Sequence, residues 1–339
     1  MTGAPAEEKT DAAKGAGKSA ANDATRADAA AGSEGPDFRS SRPVTLVHRI
    51  EYGALRFLFW FFRIVGVDRA SAISGKFCRA VGPRLHRISG RGRTGLRLAF
   101  PDWSDSEIDA TLKDVWENLG RTAAEFAHLK AFQPVQSSGR LIIENGAVIS
   151  TVVRTGRPAI FVSGHFANWE LMTIVLKDYG VDNGLVYRTA NNPLIDRFIV
   201  AERAKVMTQR QFPKGRRGWR SVVACLRDGR SLGMLVDQKL NDGVEASFFD
   251  IPAMTTPAPA RLALKFDAPI IPARIVRTKG AHFKMTVKEP IDFKSSGDLE
   301  ADVLALTQMI NATLEDDIRH APGQWLWLHR RWPKTLYRG

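Results

Sequence analysis

The chain has 339 residues, 44% of them hydrophobic, which is enough for one large domain or two ordinary ones with a substantial core and excludes disorder as a description of the whole. Its 49 Lys and Arg against 36 Asp and Glu give a net charge of +13, so its partners are expected to be anionic: nucleic acid, acidic lipid, a phosphorylated substrate or an acidic carrier protein. Cys78 and Cys225 lie far apart, which fits no zinc or redox spacing and excludes a disulfide framework. Both are read as reduced core residues in a cytosolic compartment.

Residues 1–42 are Ala, Gly, Ser and mixed charge with almost no large apolar side chains, and are expected to form a disordered tail. "GAGKS" inside it looks like a phosphate loop, but the position of the first glycine is Ala12 and no strand precedes it. The start has no apolar core of a secretory signal. The tail is nearly neutral, so the positive charge belongs to residues 43–339.

"TLVHRIEYGALRFLFWFFRIVGV" follows, the most apolar part of the chain. A spanning helix wants roughly 20 mainly apolar residues, and this one carries Arg49, Glu51, Arg56 and Arg63. The arginines recur every seven residues, so at about 100° per residue they fall on one stripe, with Phe57, Leu58, Trp60, Phe61, Ile64 and Val65 filling much of the rest. Such a helix can lie in a membrane interface with Arg56 and Arg63 at the phosphates and Trp60 among the upper acyl chains. A core helix with solvated arginines and a tilted span anchored at its ends are the other two readings.

"AFPDWSDSEIDATLKDVWENLGRTAAEFAHL" has Ser104 and Glu107 in capping-box spacing ahead of an amphipathic helix, which makes residues 43–135 helical. In residues 136–339 the apolar runs "PAIFVSG", "GLVYR", "SLGMLVD" and "PIIPARIVR" alternate with helical stretches. That alternation predicts an α/β fold, a central mixed and largely parallel sheet flanked by helices.

"SGHFANWELM" stands at a strand end, where open α/β sheets bind ligands. Along one continuous helix His165 and Glu170 would point apart, so their pairing requires a bend, which Gly164 permits. The carboxylate could then hold one imidazole nitrogen as N–H and leave the other free to accept a proton. Ser163 is close, but the chain has no G-x-S-x-G elbow, so the pair suits direct attack by a substrate hydroxyl on a bound acyl group. No cluster of His and carboxylates suggests a metal site.

"GHFANWE" resembles the His-x4-Asp/Glu box of the lysophospholipid acyltransferase superfamily, in the form found in the lipid A late acyltransferases, the lauroyl and myristoyl transferases of Gram-negative envelopes. Four further stretches resemble that family in order: "LRLAFPDWSDSEI", "VYRTANNPLIDRFIVAERAK", "LVDQKLNDGVEASFFDIPAMTTPAPARLALKFDAPIIPARIVR" with its Pro-x-x-x-x-Arg, and "APGQWLWLHRRW". The resemblance runs from about residue 44 to the end. The sequence departs from it at Asp250, where Phe-Phe-Gly is usual, at Ala258, where Gly-Pro is usual, and at Arg97, where asparagine is common.

The resemblance implies a glycerol-3-phosphate acyltransferase-like fold with an N-terminal membrane-associating helical region. It also implies transfer of a fatty acyl chain from acyl carrier protein to a hydroxyl of a lipid A precursor. The alternatives are acyl-CoA as donor with another glycolipid or phospholipid acceptor, or a non-catalytic membrane-binding protein. By resemblance His165 is the base, Glu170 orients it, Arg203 stabilises the oxyanion with Arg188 as the nearer alternative, and Asp237 with Gln238 organises the arginine or the acceptor. Asn192, Arg188, Gln238, Arg330 and Arg331 are expected to bind substrate, the last two at a tryptophan-rich substrate or membrane rim. "PKGRRGWRS" is expected to grip lipid phosphates or the acidic carrier. No cofactor, metal, covalent acyl-enzyme or nucleic-acid partner is expected, and the location implied is the cytoplasmic face of the inner membrane, peripheral or with a single anchor.

Overall fold

The computed structural model describes Met1 and residues 43–337; the expected disordered tail and its "GAGKS" lie outside the described residues. Helices α1 (Leu46–Val65), α2 (Val67–Val81), α3 (His86–Ala99) and α4 (Asp105–Glu125) precede the first strand. Helix α4 starts on the capping box read from the sequence: Ser104 Oγ accepts from the Glu107 amide at 3.3 Å, and the Glu107 carboxylate accepts from the Ser104 amide at 2.7 Å. Helices α2 and α4 pack closely because a β-carbon on Gly120 would come within 2.5 Å of the Ser74 carbonyl oxygen. Cys225 is buried as expected, whereas Cys78, in that helix contact, is partly exposed.

Seven strands form one sheet in the order β1-β9-β8-β2-β5-β3-β4: β1 (Leu141–Glu144), β2 (Ile160–Ser163), β3 (Asn183–Tyr187), β4 (Gln211–Pro213), β5 (Ser231–Leu235), β8 (Ile270–Lys279) and β9 (His282–Val287). Every neighbouring pair is parallel except the β8–β9 hairpin. Strand β2 is central and buried throughout, the condition that selects an unbroken apolar run over an alternating one. Strands β6 (Val244–Phe248) and β7 (Ile251–Thr255) make a separate hairpin. Its two turn residues, Phe249 and Asp250, have φ of 52° and 59°. Asp250 thus occupies a left-handed position where glycine carries no steric cost, and aspartate is among the residues that tolerate it.

Helices α5 (Ala147–Thr155), α6 (Leu171–Asp178), α7 (Pro193–Ala204), α8 (Arg216–Arg227), α9 (Ala258–Phe266) and α10 (Leu299–His320) complete the fold. One core cluster runs from Leu96 and Leu112 on α3 and α4 through Ile160 and Leu232 in the sheet to Trp325, Trp327 and Trp332. The helical region and the α/β region therefore share a core. Helix α1 packs on this body through Phe59, whose ring meets Phe126 and Phe198, while Leu46, Ile50, Phe57, Trp60 and Ile64 are exposed. Among the described residues no helix is long and apolar enough to cross a membrane.

Candidate active site

His165 stands two residues beyond β2, in a segment that is not helical and ends where α6 begins. Gly164 is required there: a side chain would come within 2.8 Å of the Phe166 ring and 3.2 Å of Asp237 Oδ2. Ala167 has a φ of 42°, a conformation that costs a non-glycine residue about 1–3 kcal/mol. It is held from two sides. Its amide donates to the Gln324 carbonyl at 2.8 Å, and its carbonyl accepts from Thr122 Oγ1 at 2.7 Å and Asn118 Nδ2 at 3.2 Å. Phe166 bridges to Trp325, and the Leu326 amide donates to the His165 carbonyl at 3.1 Å. The box is thus clamped between α4 and the C-terminal segment.

The carboxylate paired with His165 is Asp237, not Glu170. Asp237 Oδ1 lies 2.7 Å from His165 Nδ1, and its Oδ2 accepts the His165 amide at 2.8 Å and Trp325 Nε1 at 2.7 Å. A carboxylate can only accept, so Nδ1 carries the hydrogen, and in the neutral imidazole Nε2 is then the accepting nitrogen. Burial of Asp237 opposes ionisation, but the neighbouring His165 and the hydrogen bonds it donates outweigh burial and hold the carboxyl well below its usual range. Gln238 Nε2 lies 3.4 Å from His165 Nε2, and the Trp169 ring sits edge-on to the imidazole with centroids 5.1 Å apart. Ser163 is buried with its hydroxyl turned toward the Gly164 carbonyl at 3.4 Å, so it does not serve as a nucleophile.

Glu170 instead receives Arg203 in a two-bond fork, Nε to Oε2 at 2.8 Å and Nη2 to Oε1 at 2.5 Å. Burial disfavours the Arg203 cation, but the Glu170 charge overcomes it and raises the pKa. The chain thus separates two roles that the His-x4-Glu spacing had merged: one acid aligns the imidazole, the other fixes an arginine.

A buried polar group that sequence reading left without a role lies behind the box. Arg277 is hydrogen-bonded and ion-paired to Glu125, whose Oε2 also accepts Asn168 Nδ2 from the box at 3.1 Å. Gln324 exchanges two bonds with the Arg277 backbone, at 2.6 and 3.0 Å, while its own carbonyl holds Ala167. The Pro-x-x-x-x-Arg spacing ending at Arg277 was the available signal; it gave no hint that the partner would be Glu125, 152 residues earlier.

A cavity of about 900 Å³ opens beside the pair, with His165, Glu170, Arg203, Arg188 and Gln238 in its wall. Its deep wall is apolar, formed by buried Met172, Leu185, Val222 and Met234; its exposed rim carries Lys214, Arg216 and Trp219. Among the described residues no serine or cysteine side chain lines it. Asn192 does not line it either: it caps α7 by accepting the Leu194 amide and donates to the His48 carbonyl and Glu51, tying α1 to α7. The expected tryptophan and arginine rim is also corrected. Trp325, Trp327 and Trp332 are buried, and Arg331 is 1% exposed, bonded to Thr255 Oγ1 and Asn311 Oδ1 above the Phe248 ring. Burial lowers the Arg331 pKa to about 10. Arg330 is partly buried and outside the cavity wall.

On α1, Arg56 bonds the Tyr52 hydroxyl at 3.1 Å and covers the Phe198 ring, and Arg63 pairs with Glu202 at 2.9 Å. These arginines therefore help to dock the helix, while Trp60 faces outward.

Among curated proteins none matches the chain. The family model of the bacterial lipid A biosynthesis acyltransferases matches residues 45–334, a span that holds every helix and strand of the described fold up to the C-terminal turn. The His165 box, Asp237, Arg203 and the clamp at Trp325 all fall within it, and the chain belongs to the bacterial lipid A biosynthesis acyltransferase family.

Proposed function

We propose that this acyltransferase moves a fatty acyl chain from acyl carrier protein to a hydroxyl of a lipid A precursor by direct transfer, with His165 as general base. One observation carries the reading: Asp237 fixes His165 Nδ1 as the donor, which leaves Nε2 as the nitrogen that can accept a proton, in a cavity that no serine or cysteine lines among the described residues. The acceptor O–H gives its proton to Nε2 while its oxygen forms a bond to the thioester carbon. The carbonyl electrons move onto oxygen, and the tetrahedral intermediate collapses by breaking the C–S bond, with the thiolate taking the proton back from Nε2. Asp237 stabilises the imidazolium that forms in between. A positioned base contributes about 10²–10⁴-fold.

Arg203, fixed by Glu170 on the same wall, supplies the positive charge that the developing oxyanion needs. One such donor is worth about 2.7–4 kcal/mol. The apolar depth of the cavity suits the acyl chain. The exposed apolar face of α1 suits shallow insertion into the cytoplasmic leaflet of the inner membrane, which brings the lipid acceptor to the cavity.

The test is transfer by the purified protein from acyl carrier protein to a lipid A precursor, followed by mass spectrometry. His165→Ala is expected to lower the rate by about 10³-fold or more. Transfer by His165→Ala at the native rate would refute the mechanism, and release of free fatty acid unaffected by added acceptor would mark a hydrolase instead.

A further inference from the structure

Arg277 lies near the end of β8, outside the cavity wall, and every side chain that its polar atoms meet also grips the box that carries His165. Its Nε donates to Asn118 Oδ1 at 3.2 Å, its Nη2 donates to Glu125 Oε2 at 3.1 Å and reaches Thr122 Oγ1 at 3.5 Å, and its Nη1 bonds Glu125 Oε1 and the Gly280 carbonyl. Asn118, Thr122 and Glu125 are spaced by four and three residues on α4, which puts them on one face of that helix. The Arg277 backbone is held by the Gln324 side chain. On the far side of these four residues stands the box. Asn118 Nδ2 and Thr122 Oγ1 donate to the Ala167 carbonyl, Glu125 Oε2 accepts Asn168 Nδ2, and the Gln324 carbonyl accepts the Ala167 amide.

A guanidinium can only donate. Each side-chain partner therefore turns an acceptor toward Arg277, and what remains of its hydrogen-bonding capacity faces the box. Asn118 gives Arg277 its oxygen and so presents its amide hydrogens to Ala167, while Thr122 directs its hydroxyl hydrogen to the same carbonyl. Asn168, held by Glu125, accepts the Glu170 amide at 3.3 Å, so the arrangement extends to the carboxylate that fixes Arg203. The pair is buried, with the Arg277 side chain 9% exposed and Glu125 0%. Ser71 Oγ completes Glu125 at 2.7 Å, and the cation lies 4.6 Å from the Phe283 ring centre. A buried ion pair is a weak source of net stability, because removing both charges from water offsets their attraction. What this one supplies is direction, at the point where Ala167 is held at a φ of 42°.

Resting on the reading of His165 as the base, we propose that Arg277, with Glu125, is a positioning residue for acyl transfer: it sets the polarity of the contacts that hold Ala167 in its left-handed conformation and thereby aims His165 Nε2 into the cavity. Neither residue lines the cavity, so substrate binding does not depend on them.

The experiment uses the full chain, with kcat and KM measured for donor and acceptor. Arg277→Gln is expected to lower kcat about 10²-fold, the order of loss that follows a misplacement of about 1 Å, with both KM values changed by less than about twofold. Arg277→Lys, which keeps the charge but loses the fork, is expected to recover about tenfold of that loss. In a His165→Ala background Arg277→Gln is expected to lower the residual rate by less than about twofold, because the group it aims is gone. The full loss in that background would mark a merely structural role and overturn the proposal, as would a native kcat in Arg277→Gln or a loss carried by KM. Thr122→Val keeps the shape of the side chain and removes one donor to Ala167; it serves where Arg277→Gln does not fold, and is expected to lower kcat about tenfold, a native kcat again overturning the proposal. Proton NMR gives a readout independent of transfer. The downfield resonance of His165 Nδ1–H, recognised by its absence in His165→Ala, is expected to shift or broaden in Arg277→Gln. A moved resonance supports the positioning role even if His165→Ala transfers at the native rate, and an unmoved one overturns that role even where His165→Ala is inactive.

Discussion

Two aromatic-rich stretches of the molecule meet opposite fates. On α1, Phe57 and Trp60 are 63% and 58% exposed, whereas Trp325, Trp327 and Trp332 near the C-terminus are each 1% exposed. The difference lies in the indole N–H groups. Trp325 donates to Asp237, Trp327 to the Pro322 carbonyl at 2.8 Å and Trp332 to the Phe248 carbonyl at 3.0 Å. Each buried ring thus keeps its hydrogen bond, and burial costs it nothing in polarity. Trp60 has no such acceptor among the described residues, and its ring meets the exposed Phe57 ring at a tilt of 32°, with centroids 5.6 Å apart. Aromatic content therefore divides here into a part that is hydrogen-bonded in the core beside Asp237 and a part that stays exposed on α1.

That contrast can be broken at its catalytic end first. Asp237→Asn keeps the shape of the side chain but turns an N–H toward His165 Nδ1 or Trp325, selects the wrong tautomer and is expected to lower kcat by about 10⁴-fold, ~5 kcal/mol; steady-state transfer assays read this directly. Trp332→Ala, which empties a fully buried site and orphans the Phe248 carbonyl, is expected to cost about 3–5 kcal/mol in denaturant unfolding. Phe57→Ser/Trp60→Ser is expected to change stability by no more than about 0.5 kcal/mol while lowering co-sedimentation with anionic vesicles. Equal destabilisation by the two sets would erase the distinction.

A fourth prediction sharpens the buried side and falls between these in size. His329 has both ring nitrogens buried beside the Trp325 ring, and burial lowers its pKa from 6.5 to about 4. The folded chain keeps it neutral where the unfolded chain would protonate it, so stability is full above pH 6.5 and falls toward pH 4 by up to about 3 kcal/mol. His329→Phe should flatten that acid-side slope in melting temperatures taken across the range.

Much of the scaffold could be read in advance because burial leaves a local mark. The runs around Ile160, Leu232 and Ile270 are strands since a parallel sheet buries both faces, and Ser104 with Glu107 marks the start of α4 within four residues. His165 and Asp237 each follow an apolar run, two residues past the end of a buried strand. Their pairing was not legible, because it depends on which strands become neighbours. β2 lies beside β5 with Ser163 opposite Leu235, so His165 and Asp237 stand level two residues further on. Glu170, five residues from His165, is a neighbour only along the chain. The misplacement of Arg331 has a related cause: no local pattern announces that Thr255, Asn311 and the Phe248 ring will surround a guanidinium.

The bond from Trp325 to Asp237 also makes the C-terminal segment part of the wall around His165. The indole follows His165 by 160 residues and Asp237 by 88, so removing the chain from Trp325 onward is expected to strip Asp237 Oδ2 of one of its two donors and to open the buried carboxylate to water, while leaving every strand of the sheet in place.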